Sequence, residues 1–120
     1  GNPAVIQLIK NPTGASEVLK TVDLKSNIVI AINDNYADGR DISWLWDSDF
    51  EQLKDAEKLV ITSGIRANDM ATRLKYAGIP QEKILVEPNI KKAIELATTN
   101  GKTTILPSYT ALLKINKEKL

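Results

Sequence analysis

Five short runs rich in aliphatic and β-branched residues alternate along the chain with segments whose apolar positions recur at helical spacing. The first run, within residues 1–10, carries Val5, Ile6, Leu8 and Ile9 and is compatible with a strand. Asn11-Pro12 then reads as a helix start. Asn11 is the expected N-cap, and Pro12 takes the first helical position, where its missing N–H costs nothing. Ala15, Val18, Leu19 and Val22 follow at helical spacing and predict a helix to about residue 21. Residues 26–33, SNIVIAIN, form a nearly unbroken β-branched run, the pattern of a strand buried on both faces. After a polar loop, Trp46, Phe50 and Leu53 fall at i, i+4 and i+7 and predict a helix over residues 47–57.

The second half repeats the alternation. Residues 58–63, KLVITS, read as a buried strand ending at Gly64. Residues 67–77 are helical by periodicity, with Met70, Ala71, Leu74 and Ala77 inward and Gly78 placed to end the helix. KILVE, residues 83–87, is a strand, and Asn89 caps a helix whose apolar face is Ile90, Ala93, Ile94 and Ala97. Asn100-Gly101 is a turn, residues 103–106 are the last strand, and Ser108 caps a closing helix with Leu112, Leu113 and Ile115 inside.

Helical crossovers at such short spacings join parallel strands and lay helices on both faces of a sheet. The expected fold is α/β: a three-layer open sandwich with a mostly parallel sheet of about five strands, Rossmann-like in build. No repeat, linker or low-complexity stretch divides the 120 residues, which read as one domain. In sheets of this kind functional groups gather at the carboxyl ends of the strands. Three polar loops fall at that edge: the one at Asn11, residues 34–43, and residues 63–69 (SGIRAND).

Composition narrows the function classes. Sixteen basic residues against fifteen acidic leave a formal net charge of +1, with no long run of one sign. A nucleic-acid or membrane surface would want a clustered basic patch, so neither partner is expected. No apolar run is long enough to cross a bilayer and no signal-peptide pattern opens the chain, so a cytoplasmic location is expected. Cys and His are both absent. That removes disulfides, a thiol nucleophile, thiolate metal sites and the usual general base. A Ser-His-Asp or Cys-His machine cannot be assembled from these residues alone. The phosphate-binding patterns G-x-x-x-x-G-K-[ST] and G-x-G-x-x-G are missing as well.

One stretch stands apart. Residues 31–50, AINDNYADGRDISWLWDSDF, hold both tryptophans together with Asp34, Asp38, Arg40 and Asp41. A calcium loop counted from Asp34 fails, because Tyr36 stands third and Leu45 twelfth, where carboxylates are required. A magnesium site from Asp34 and Asp38 is the weaker metal reading. Asp41 has two readings. It caps the next helix or pairs with Arg40 or Arg66, the ordinary fate of a loop acid. Alternatively it orients a histidine by accepting the imidazole N–H, and since the chain has no histidine, that role requires an interface. Trp44, beside Ser43, suits a lid or an interface anchor, whereas Trp46 is expected in the core. Arg66 stands just before a helix N-terminus, where it reads an anion or pairs with Asp69. Tyr109 and Thr110 are expected to pack and cap.

Residues 33–47, NDNYADGRDISWLWD, followed by Asp49-Phe50-Glu51, resemble the core motif of the MurT C-terminal domain family. Lys10-Asn11-Pro12-Thr13-Gly14 is similar to the family's opening KNPAG, with Thr13 in place of the usual Ala. Ser63-Gly64-Ile65-Arg66-Ala67, with Asp69-Met70-Ala71 and Arg73-Leu74-Lys75-Tyr76-Ala77-Gly78, is similar to its third signature, and residues 107–112 to its closing segment. Trp46 stands where other members vary among aromatics. More distantly, the order of motifs is similar to that of Mur ligase C-terminal domains in general.

The resemblance implies part of the Mur-ligase-like subunit of lipid II isoglutaminyl synthase, a bacterial cell-wall enzyme. In that family the subunit uses ATP to activate the α-carboxylate of D-glutamate in the lipid II stem peptide. A GatD-type class I glutamine amidotransferase releases ammonia from glutamine, and amidation gives D-isoglutamine. That partner carries Cys and His without the third member of its triad, which the MurT domain supplies; by motif position it is Asp41. Asp34, Asp38, Arg40, Ser43 and Trp44 would then support Asp41 or form the partner interface, and Asn11, Arg66 and Asp69 would face substrate. ATP, magnesium and a structural zinc belong in this picture to a central domain outside these residues. No cofactor is therefore expected here, and the isolated domain is expected to be inactive. The competing expectation, from residues alone, is a non-catalytic α/β interaction or ligand-binding domain with an acidic loop.

Overall fold

A computed structural model describes residues 2–33 and 43–118. In chain order its elements are β1 (Ala4–Ile6), α1 (Pro12–Leu19), β2 (Asn27–Ala31), α2 (Trp44–Asp47), β3 (Val60–Ser63), α3 (Ala67–Tyr76), β4 (Ile84–Val86), α4 (Ile90–Thr99), β5 (Thr103–Pro107) and α5 (Tyr109–Glu118). Short 3-10 turns cover Phe50–Leu53 and Gln81–Lys83. The strands form one sheet in the order β1-β5-β2-β3-β4, and every pairing is parallel. The expected α/β sandwich is therefore present, with a sheet that is parallel throughout rather than mostly so.

β2 lies between β5 and β3, and all five of its residues are buried. Because successive strand residues point to opposite faces, Ile28 and Ile30, continued by Ile32, pack with Val60 and Leu106 on one face. Against them lie Ala15 and Leu19 of α1, Leu45 of α2, Phe50, Leu53, and Met70 and Leu74 of α3. Val29 and Ala31 pack on the other face with Ile61, Ile105, the apolar stripe of α4, and Ala111 and Ile115 of α5. Each such aliphatic side chain stabilises by about 1.5–3 kcal/mol when fully buried. An exposed ion pair contributes about 0–1 kcal/mol, so this double-sided core holds the sheet. β1 differs: it pairs with β5 alone, and Val5 and Ile6 are exposed.

Local signals behave as their chemistry requires. Asn11 Oδ1 accepts from the Gly14 N–H at 2.8 Å, and Asn89 Oδ1 from the Lys92 N–H at 3.0 Å, each satisfying an orphan donor of a first helical turn. α3 stops before Gly78, whose φ of 95° lies in the left-handed region that ends helices.

Four expectations need correction. The helix expected over residues 47–57 is broken in two. Ser48 turns its N–H and Oγ back onto the Trp44 carbonyl, at 3.1 and 2.9 Å, and its own backbone is extended; only the 3-10 turn Phe50–Leu53 follows. With the helical phase reset at Ser48, Phe50 and Leu53 stay buried while Trp46 falls on the outside, 49% exposed. Leu45 fills the core instead, and Trp44 is partly buried against it. In α5, Ala111 and Ile115 face inward while Leu113 is exposed, because the buried stripe starts one residue earlier than the leucine pair suggested. Tyr109 is likewise exposed, not packed.

Candidate functional site at the carboxyl edge

The carboxyl ends of β2, β3 and β5 are stitched together by backbone and side-chain bonds. The chain leaves β2 toward the face covered by α2, and leaves the neighbouring β5 toward the opposite face, covered by α5. Adjacent strands whose exits diverge in this way open a crevice at the sheet edge, the usual place for function in such folds. Across that divergence the Asn33 N–H donates to Ser108 Oγ at 3.0 Å, and the Ser108 N–H to the Ala31 carbonyl at 2.9 Å. On the other side, Asn33 Oδ1 accepts from the Ile65 N–H at 3.1 Å, and the Ile32 carbonyl from the Arg66 N–H at 3.0 Å.

Gly64 makes this close approach feasible. Its φ is +84°, and a Cβ there would stand 2.5 Å from the Ile32 carbonyl oxygen. Any L side chain at this position would both strain the backbone and push β2 and the β3–α3 loop apart.

Asp34, Asp38, Arg40 and Asp41 lie outside the described residues. They occupy the segment that departs from Asn33 and rejoins the described chain at Ser43, so its two ends can be placed. Ser43 is exposed, and its carbonyl accepts the Trp46 N–H at 2.8 Å to start α2. Trp44 follows, partly buried against the apolar cluster of the same face. Asn11 lies at the same carboxyl edge, since the chain of β1 runs on to Ile9, whose N–H donates to the Pro107 carbonyl. Its Oδ1 is engaged in the cap of α1. Arg66 is 8% exposed at the start of α3 and reaches Asp69 at 3.8 Å, the outer limit of an ion pair. Of its two readings, pairing with Asp69 thus has a geometric counterpart. The structure brings Arg66 and Asp69 together beside the Asn33 junction, and sets Asn11 on the flank of the sheet formed by β1.

Two contributors escaped the sequence reading. Asn33 is one, with the bonds just given. Arg73 is the other. Its side chain, 4% exposed, donates Nε to the Leu45 carbonyl at 2.8 Å and Nη2 to the Ser48 carbonyl and Glu51 Oε1, both at 2.7 Å. The guanidinium lies 5.4 Å from the Trp46 ring and 5.6 Å from the Phe50 ring. Trp46 in turn meets Tyr76 edge-to-face at 5.4 Å. Arg73 thereby fixes α2, the element that receives the 34–42 segment, onto α3. The hydrogen bond from Arg73 holds the Glu51 carboxyl below its ordinary value of 4.5, with burial opposing in part. A signal for Arg73 was present in retrospect: an Arg at the helix position next to buried Leu74 and three residues after buried Met70.

No group of three or more Asp or Glu among the described residues is placed to hold a metal ion. Nor is any described helix long and apolar enough to cross a membrane.

A family model described as MurT ligase C-terminal matches residues 8–112. Among curated proteins, the lipid II isoglutaminyl synthase (glutamine-hydrolyzing) subunit MurT of Streptococcus pneumoniae strain R6 is 36% identical over 116 residues. That alignment covers 92% of this chain and 26% of the relative. The protein of the same description from Staphylococcus aureus strain COL is 40% identical over 114 residues, 91% of this chain and 26% of the relative. The chain thus spans about a quarter of the length of these relatives.

Proposed function

This chain belongs to the MurT ligase C-terminal family, as its motifs anticipated, and from that premise we propose that it is the C-terminal domain of the amidating subunit of a lipid II isoglutaminyl synthase. The whole enzyme, in this reading, acts at the cytoplasmic face of the membrane. It converts the D-glutamate α-carboxylate of the lipid II stem peptide to the amide, using ATP and ammonia derived from glutamine. The 120 residues form one domain, and the ATP-binding centre with its magnesium and zinc lies elsewhere in the protein. What this domain contributes is a docking surface for a GatD-type glutaminase and one carboxylate, Asp41, for that partner's Cys–His pair.

The observation that carries this reading is a conjunction. The relatives are named as subunits of a glutamine-hydrolysing enzyme, and this chain has neither His nor Cys. A carboxylate on such a chain enters Cys–His chemistry only across an interface. There it accepts the imidazole N–H, fixes the tautomer so that the other ring nitrogen faces the thiol, and stabilises the imidazolium once the thiol proton has moved. Asp34, Asp38, Arg40, Ser43 and Trp44 would support Asp41 or line the contact, while Asn11, Arg66 and Asp69 would close on the stem-peptide substrate.

The test is Asp41→Asn in the full-length subunit bound to its amidotransferase. Glutamine hydrolysis is expected to fall by about three to four orders of magnitude, as when a triad carboxylate is neutralised. Amidation driven by added ammonium persists. Glutamine hydrolysis at the wild-type rate would remove Asp41 from the mechanism.

A further inference from the structure

We infer that Asn100-Gly101, the turn between α4 and β5, is a site of spontaneous deamidation that the last turn of α4 holds shut. The turn lies at the amino end of the sheet, opposite the candidate site. Structure dictates both of its residues. Gly101 has a φ of +141°, a conformation that strains any L side chain. Asn100 is exposed and caps the C-terminus of α4. Its N–H donates to the Ala97 carbonyl at 3.1 Å, and its side-chain Nδ2 to the Leu96 carbonyl at 2.7 Å. Each bond satisfies a carbonyl that the end of a helix leaves orphaned. Meeting both demands places a side-chain amide directly before a glycine.

That pairing has a chemistry of its own. The Gly101 nitrogen, once it has given its proton to a solvent base, attacks Asn100 Cγ. A bond forms between that nitrogen and Cγ, the Cγ–Nδ2 bond breaks, and ammonia leaves with a proton from solvent, closing a five-membered succinimide. Water then opens the ring at either carbonyl and leaves aspartate or isoaspartate at position 100. One water is consumed and one ammonia released, with nothing oxidised or reduced. Glycine crowds an attacking backbone nitrogen less than any other residue. Among the described residues no acceptor engages the Gly101 N–H. The nucleophile is therefore available, and the amide it attacks is at the surface.

The folded turn blocks the final approach. At ψ −2° the Gly101 nitrogen lies beside the backbone nitrogen of Asn100, turned away about Cα–C from the side chain it has to reach. The bond to Leu96 holds Nδ2, and Cγ with it, back along the helix. Ring closure requires that bond to break and Cα–C to rotate, which is a fraying of the last turn. Helix ends open at small free-energy cost compared with the core, so the reaction proceeds from a sparsely populated open form. Deamidation then removes what held the turn. A carboxylate has no proton to offer the Leu96 carbonyl, and its charge sits at the negative end of the helix dipole. Isoaspartate also adds a backbone carbon just before β5, the strand between β1 and β2.

The test incubates the full-length subunit in mildly alkaline buffer and follows the tryptic peptide of residues 93–102 by mass spectrometry, with isoaspartyl methyltransferase reporting the isomer. Slow conversion at Asn100 with isoaspartate among the products is expected. Asn100→Gln, whose longer side chain cannot close the five-membered ring, abolishes it. A synthetic peptide of residues 93–102 reacts about tenfold faster than the folded subunit, or more. Leu96→Gly, which weakens the last turn and leaves its carbonyl in place, raises the folded rate about threefold to fivefold. Thr99→Ala, a better helix former at an exposed position, lowers it about twofold. Equal rates in subunit and peptide, or a folded rate that neither variant moves, would overturn the gate. A peptide that does not convert at Asn100 would overturn the site itself, and aspartate without isoaspartate would exclude the ring.

Discussion

Thr62 and Ser63, side by side at the end of β3, bury hydroxyls that have no hydrogen-bond partner among the described residues. Neither threonine nor serine is an unusual strand residue, and their sequence context, KLVITSG, shows nothing amiss; the deficit arises from what packs over them. Thr62 points to the face of Ile30, which carries the larger apolar cluster with Met70 and Leu74 of α3. Replacing a buried, unpaired hydroxyl by a methyl group removes a desolvation penalty without leaving a hole. Thr62→Val should therefore raise the urea midpoint, by an equivalent of about 1 kcal/mol, with the slope of the transition unchanged. A lower midpoint would mean that the hydroxyl is satisfied after all. Residue-level legibility followed the range of the interaction. Asn11 and Asn89 cap donors three residues away, and their roles could be read from the chain. Asn33 and Arg73 bond to residues 32 and 28 positions away, and nothing local announces such partners.

Among the elements, α2 is the one whose character depends most on others. Four residues make a single turn, too short to hold itself together by its own hydrogen bonds. Its stability comes from Leu45 in the core and from the Arg73 fork, whose planar geometry matches the two carbonyls and the Glu51 carboxylate. The apolar spacing of Trp46, Phe50 and Leu53 suggested one longer helix because period alone cannot register the Ser48 break. The Glu51 link makes a pH prediction with a defined sign. Its carboxyl is held below the ordinary 4.5 by Arg73. The contribution is thus fully present above that value and is lost as pH falls through the depressed folded-state value. Glu51→Gln should then flatten the acid side of the Tm-versus-pH curve below the ordinary carboxyl value of 4.5 while lowering Tm slightly at neutrality. Half of the Glu51 side chain is exposed, so solvent screening keeps the effect modest. An acid limb identical to that of the parent would show that the pair contributes nothing.

For the molecule as a whole, alternation of strand and helix was enough to give a parallel, two-sided α/β sandwich. The unbroken apolar run of residues 28–32 marked a strand covered on both faces. Strand order was not legible, because β5 inserts between β1 and β2, and a contact of that kind leaves no local trace in either strand. The order has a dynamic consequence. β2 is covered on both faces and paired on both edges, whereas β1 has one partner and exposed side chains. Opening free energies follow such differences in burial. Native-state hydrogen exchange should release the amides of Val5 to Ile9 well before those of Ile28 to Ala31. Equal protection of the two strands would contradict this reading of the sheet.

The position of the tryptophans carries one more implication. The chain has two, and both lie on the single turn of α2, immediately after the segment that bears Asp41. One is half inserted in the core, and the other stands half exposed over a guanidinium. Light absorbed and re-emitted by indole in this domain therefore originates from one corner of the sheet edge. A protein settling on that corner would alter the emission of Trp46 by changing the water around it, so the domain is equipped with an optical probe of its own association, with no dye attached.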